Sequence, residues 1–204
     1  MATSVVSVSN LALQKLGAGS IVSMDEDSRE ARAANACYEP LRDRELRAHA
    51  WNFAIKRTTL APSATTPDFD FTYAFPVPSD LLRLLPPART GLDWTIENLN
   101  GTPHIHTNDG DTLEIRYVAR MTDPTQFDAL FVEMLAAKMA WHMCEGLTQS
   151  NTKKADIQQE YKDLRAEARK INAFEQPVPE ESEPPWLAAR RTGPGSANYL
   201  TWGV

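Results

Sequence analysis

Two histidines one residue apart, His104 and His106, would point both imidazoles to one face of a β-strand, as some metal centres require. With no third ligand from cysteine or carboxylate beside them, they read better as part of a surface hairpin. His142 and Cys144 are also two apart, but in a helical stretch. There the spacing turns them about 200° from each other and denies them both a thiolate–imidazole pair and a shared metal. Gly17-Ala18-Gly19 lacks the third glycine and the preceding strand of a dinucleotide loop, and no Gly-Lys-Ser/Thr phosphate loop occurs. The serines fall in caps, loops and the C-terminal segment, without a nucleophile elbow. A glycosidase needs only two carboxylates a few ångströms apart, and 27 acidic residues make such pairs common. A peptidoglycan hydrolase using a carboxylate pair is therefore the enzymatic alternative. Asp25-Glu26-Asp27 is the densest acidic cluster, but a loop entering a helix N-terminus favours acids for dipole reasons alone. Trp51-Asn52-Phe53-Ala54-Ile55-Lys56-Arg57 interleaves aromatics and cations like a single-strand stacking platform. Two cations make a poor electrostatic funnel, so Trp51, Phe53 and Ile55 are expected to alternate onto the core face of an edge strand. No catalytic residue, cofactor or metal is expected.

These residues sit in a chain of 204 with 42% hydrophobic and 24% charged side chains, close to globular averages, which argues against a fibrous or disordered protein. The net charge of −6 disfavours a surface built to grip phosphate backbones. Two cysteines, Cys37 and Cys144, are too few for a disulfide framework and are expected as free thiols. The first residues lack a basic segment followed by an apolar run, and no stretch reaches the ~18 apolar residues of a membrane span. Neither a secretory signal nor membrane association is expected.

The elements that must position the candidate residues follow from periodicity and punctuation. Val5, Val8, Ala12 and Leu16, with Leu11 alongside, predict a first helix over 4–16, stopped by Gly17. Asp27 and Glu30 form a capping-box pattern ahead of Ala31, Ala34, Tyr38 and Leu41, predicting a second helix to about Ala48. Its solvent face is expected to carry an Asp43–Arg47 pair. Seven prolines between Pro62 and Pro103 rule out long helices there, and strands are expected at 51–59, 69–75, 94–97, 104–106 and 112–118. Hairpins are expected at Asn100-Gly101 and Asn108-Asp109-Gly110, and one helical turn at 79–85. Asp123, Pro124 and Gln126 mark the start of a third helix. It reaches about Leu147 and is so sparsely charged that it must be buried centrally. Ile157, Tyr161, Leu164, Ala168 and Ile171 give the narrow seam of a fourth helix, from about Lys153 to Phe174. The last thirty residues hold five of the fourteen prolines and three of the nine glycines, too irregular for a core of their own. Yet they include Trp186, Tyr199 and Trp202, rings that are costly to leave in water and that suit a docking arm. The expected fold is α+β, mainly α. It comprises a four-helix bundle from 1–49 and 122–174, a small antiparallel β region inserted at 50–121, and an extended C-terminal arm at 175–204.

The order of these signals resembles the tail tubular protein A family, the head-to-tail adaptors, or connectors, of short-tailed bacteriophages. The likeness is carried by Asn10-Leu11-Ala12-Leu13 with Leu16-Gly17, by Ser28-Arg29-Glu30-Ala31, and by Arg42-Asp43 leading through Leu46 to Ala50-Trp51-Asn52-Phe53-Ala54. It continues in Asp123-Pro124 before Phe127-Asp128 and Phe131, and spans about residues 5–170. The resemblance implies a structural protein of the virion, made in the host bacterial cytoplasm, that forms a dodecameric ring under the portal protein. Such a ring extends the channel for double-stranded DNA without sequence-specific binding, retains the packaged genome and receives the tail nozzle, with tail spikes or fibres as further neighbours. By the same analogy the C-terminal arm reaches the portal, with Trp186, Arg190, Arg191, Tyr199 and Trp202 facing it.

Overall fold

The computed structural model describes residues 3–86, 91–110 and 112–175, and it is a mixed α and β structure with four helices and two small antiparallel sheets. Helix α1, Val5–Leu16, opens with Ser4, whose hydroxyl accepts from the Ser7 amide while Ser7 returns the bond to the Ser4 amide. It closes at Gly17 in the left-handed conformation, φ 69°. The face turned inward is Val8, Ser9, Ala12, Leu13 and Leu16, so Leu13 takes the place expected for Leu11 because the helix presents that edge to α3. Asn10 then fixes the following loop by clamping the backbone of Ile21, donating at 2.9 Å and accepting at 2.8 Å.

Helix α2, Arg29–Ala48, starts one residue later than the capping pattern suggests. Ser28 is extended and its hydroxyl accepts from the Ala31 amide, while Asp27 turns away to pair with Arg32. The expected Asp43–Arg47 pair does not form. Asp43 is held by Arg42 at 2.9 Å and by Arg120 at 2.8 Å, and Arg47 donates to the carbonyl of Leu82. What reads in sequence as a solvated charge face is the face that bonds the helix to the strands beyond it.

Residues 51–54 do not extend the first strand. Asn52–Ala54 form a 3-10 turn, closed by the Ala54 amide on the Trp51 carbonyl, and β1, Ile55–Leu60, follows. β2 is Tyr73–Pro76, β3 Leu81–Leu84, β4 Trp94–Leu99, β5 Thr102–Thr107 and β6 Leu113–Ala119. They form two three-stranded sheets, ordered β1-β6-β3 and β2-β5-β4. The helical turn expected at 79–85 is therefore β3, drawn into extended form by pairing with β6. Asn100 and Gly101, both at positive φ, make the expected two-residue hairpin between β4 and β5. Asn108-Asp109-Gly110 does not, since the chain there leaves one sheet for the other. In the first sheet, the Asp80 carboxylate joins Lys56 of β1 to the Tyr117 hydroxyl of β6 at 2.8 and 3.0 Å. Burial would raise the Asp80 carboxyl, but these donors outweigh it and hold it below its usual range.

Asp123 caps only a 3-10 turn, Pro124–Gln126; α3, Ala129–Thr148, waits for a second cap, Asp128, which accepts from Leu130 and Phe131. The extended residue between the two caps drops Phe127 into the core. Helix α3 is the central element: ten of its residues are buried, and both α1 and α2 lie against it. Helix α4, Asn151–Phe174, buries Ile157, Tyr161, Ala168 and Asn172, so Asn172 stands where Ile171 was expected. No helix among the described residues is long and apolar enough to cross a membrane.

The helices and the first sheet meet at Trp51, which is 1% exposed. Its indole Nε1 donates to the Glu45 carbonyl at 3.0 Å, and its ring lies edge-on to Phe131 at 5.2 Å and to His49 at 4.7 Å. Phe53 extends the cluster to Phe127 and Phe131. Next to it, the Asn172 side chain accepts from the Asn52 amide at 2.9 Å and donates to the Ala50 carbonyl at 3.2 Å. Those backbone partners fix which end of the amide is nitrogen, so the 3.1 Å contact of that nitrogen with His49 Nε2 requires a neutral, accepting imidazole.

Two outcomes are expected. Trp51→Ala should cost about 3–5 kcal/mol in urea unfolding, since it removes a large buried ring and a hydrogen bond. Burial, then the charges of Arg169 and Arg83, push the His49 imidazole below its usual 6.5. The folded chain thus binds fewer protons there than the unfolded chain, and the associated stability is lost as pH falls through 6.5 towards the folded value. The urea midpoint should drop between about pH 7.5 and about pH 5.5, and His49→Asn should shrink that drop.

Candidate functional site

The five residues assigned to a portal-facing arm, Trp186, Arg190, Arg191, Tyr199 and Trp202, lie outside the described residues. His104 and His106 are on the β4–β5 hairpin, as expected, but buried rather than at the surface. They lie on β5, the middle strand of its sheet, where Ile105 and Thr107 are buried as well, so both faces of the strand are covered. His104 Nδ1 contacts the Thr102 carbonyl at 3.0 Å, and His106 lies near the Phe71 ring and 3.8 Å from Glu97. Among the described residues no group of three or more His, Cys, Asp or Glu could hold a metal ion.

His142 and Cys144 do point apart, the first exposed and the second buried. His142 instead shares a shallow groove with Cys37, a juxtaposition of α2 and α3 that no local spacing reveals. Burial pushes the Cys37 thiol up to about 11, so it is a neutral thiol rather than a thiolate at neutral pH. The Asp25-Glu26-Asp27 loop is spent locally, Glu26 accepting from the Val22 amide and Asp27 pairing with Arg32.

A different set of residues converges where α2, α3 and α4 meet. Arg44, Lys138, Lys162, Arg165 and Arg169 line one groove of about 510 Å³, together with the rings of Trp141 and Tyr161. Helix α4 brings three of its cations to one side. Lys162, Arg165 and Arg169 fall within about 60° of one another on the groove side, while Asp156, Glu160, Asp163 and Glu167 cluster roughly opposite. A second groove, over β1 and β6, sets Arg57 and Arg116 against Asp109 and Glu114 and has no comparable excess of one sign.

Lys138 is the unusual member, a charged side chain only 2% exposed. Its ammonium lies 4.1 Å from the Trp141 ring centroid and 4.6 Å from that of Tyr161, two rings parallel to within 15°. The buried Glu45 carboxylate accepts from the Tyr161 hydroxyl at 2.9 Å. The attraction of the ring faces and of Glu45 offsets part of the cost of burying the ammonium. Burial pushes the Lys138 amine below its ordinary value; Glu45 opposes this, and Arg44 and Arg165 reinforce it. The excess positive charge reaches His142, held low by burial and then by Lys138, Arg44 and Lys154. Burial is also the first cause of the raised Tyr161 phenol.

Part of this groove is visible in sequence, because cations at 162, 165 and 169 repeat at helical spacing. Arg44 and Lys138 carry no such signal, as only the packing of three helices brings them to the same place. No protein-family model matches the chain, and no curated protein matches it.

Glu45→Gln and Lys138→Met should each destabilise the fold, since each removes a charge that offsets part of the cost of burying the other. The double variant should lose less than the sum, with a coupling of about 0.5–3 kcal/mol in urea unfolding. Additive losses would mean that the rings alone hold Lys138.

Proposed function

We propose that this chain is a bacteriophage head-to-tail adaptor: a ring-forming virion protein beneath the portal that extends the DNA channel, retains the genome and presents a platform for the tail nozzle. The observation that carries this is where the family-like residues fall. Asn10 clamps the loop after α1, Ser28 caps α2, and Arg42 and Asp43 tie α2 to Arg120. Trp51-Asn52-Phe53-Ala54 forms the turn on which α2, α3 and α4 converge, and Phe127, Asp128 and Phe131 set the start of α3 against it. A likeness concentrated in residues that build the fold, rather than scattered over its surface, supports a shared architecture.

On this proposal the helices form the ring as a four-helix bundle, the strand-rich region is an insertion, and residues 175–204 are a portal-docking arm. Trp186, Arg190, Arg191, Tyr199 and Trp202 are its anchors, the aromatic and guanidinium types that dominate small interfaces. The net charge of −6 per copy, repeated round a ring, suits a conduit through which DNA must slide without being gripped. Among the described residues the three carboxylates whose acidity is displaced, Asp80, Asp123 and Glu145, are all held below their usual range. A glycosidase's general acid needs the opposite displacement.

Mass photometry of the purified portal ring with full-length chain, and with chain lacking residues 175–204, tests the proposal. Full-length protein should add a whole ring of copies and the truncated form none. Failure of both to bind would overturn it, and clearing of a peptidoglycan suspension by the chain would establish the hydrolase instead.

A further inference from the structure

We propose that the cationic groove between α2, α3 and α4 is a docking site for a short acidic segment of a partner protein, whose carboxylates bind Lys138 and the guanidinium groups around it. This stands independently of the adaptor proposal.

The floor of the groove makes the strongest case. An ammonium carries three donors, and among the described residues the Lys138 nitrogen makes neither a hydrogen bond nor an ion pair within 4.0 Å, only its contacts with the two rings. Ring faces offset charge but accept no conventional hydrogen bond, so a lysine whose stem is buried presents unused ammonium donors to an open groove. Around it, Arg44, Lys162 and Arg169 have no carboxylate partner among the described residues, and Arg169 Nε is buried without a hydrogen-bond partner. An incoming carboxylate would accept from the Lys138 ammonium and from the outer nitrogens of the guanidinium groups. A chain of net charge −6 does not accumulate five cations in one groove through its composition.

The shape of the positive field selects the occupant. Guanidinium forks match carboxylates two bonds at a time, and Trp141 and Tyr161 offer apolar walls for the methylene stems of glutamate. Nucleic acid suits the groove less well. Its phosphates continue well beyond a cavity of about 510 Å³, over the surface of a chain whose net charge is −6.

Fluorescence anisotropy with the full chain tests this, using a dye-labelled glutamate-rich peptide, its glutamine counterpart and a labelled DNA duplex. The glutamate peptide should bind, weaken as salt rises, and lose about tenfold or more in affinity on Arg44→Glu with Lys162→Glu. Both positions are exposed, so that variant should keep its helical circular dichroism and melting profile; Arg44→Gln with Lys162→Gln serves if it does not. No binding of the glutamate peptide, equal binding of the glutamine peptide, or indifference to the substitutions would each overturn the proposal. Duplex bound more tightly than peptide would replace it with a nucleic-acid surface.

Discussion

Trp51 lies where α2 ends, α3 begins and α4 finishes, and the architecture depends on that one ring being both buried and hydrogen-bonded. A buried indole without an acceptor for its N–H would lose much of what its burial contributes. Here the Glu45 carbonyl, near the C-terminal end of α2, supplies the acceptor. The same turn that places Trp51 also places Asn52 against Asn172, so α4 is held at its far end by backbone and side-chain bonds rather than by a broad apolar face. This accounts for a 24-residue helix with so few buried positions: it is fastened at its polar ends as much as it is packed along its length.

Glu45 links that joint to the groove on the other side of α2. Its carbonyl receives Trp51 and its carboxylate receives Tyr161, whose ring in turn supports Lys138. One buried residue therefore couples the aromatic joint, the seating of α4 and the electrostatics of a surface groove. Burying a lysine and a glutamate is costly, and both are retained although apolar residues of similar volume would serve stability as well. Such a cost is more readily understood where the exposed side of the arrangement has work to do.

The adaptor proposal and the acidic-segment proposal make different demands on the molecule and occupy different residues. The first places docking in the C-terminal arm and leaves the helices to form a ring; the second gives the helices a charged face of their own. Together they describe a protein whose contacts are divided between aromatic anchors and a local positive patch on an otherwise acidic surface. The net charge of −6 disfavours binding of a polyanion overall, and the patch is local to the groove between three helices.

The amino-acid sequence by itself determined the elements whose signals are local. The stop of α1 at Gly17 is legible because only a left-handed residue closes that helix end, and the Asn100-Gly101 hairpin because two positive φ angles favour those types. The central burial of α3 is legible because a helix with so few charges has no side fit for water. Tertiary structure alone decided the rest, wherever the partner is distant in sequence. Residues 81–84 became a strand because β6 was there to pair with, Asp43 and Arg47 parted because Arg120 and the Leu82 carbonyl competed for them, and His104 and His106 were buried because β5 became a central strand. The cationic groove shows the same division within one site: the spacing of 162, 165 and 169 follows from helical geometry, whereas the convergence of Arg44 and Lys138 on those residues exists only once three helices have packed.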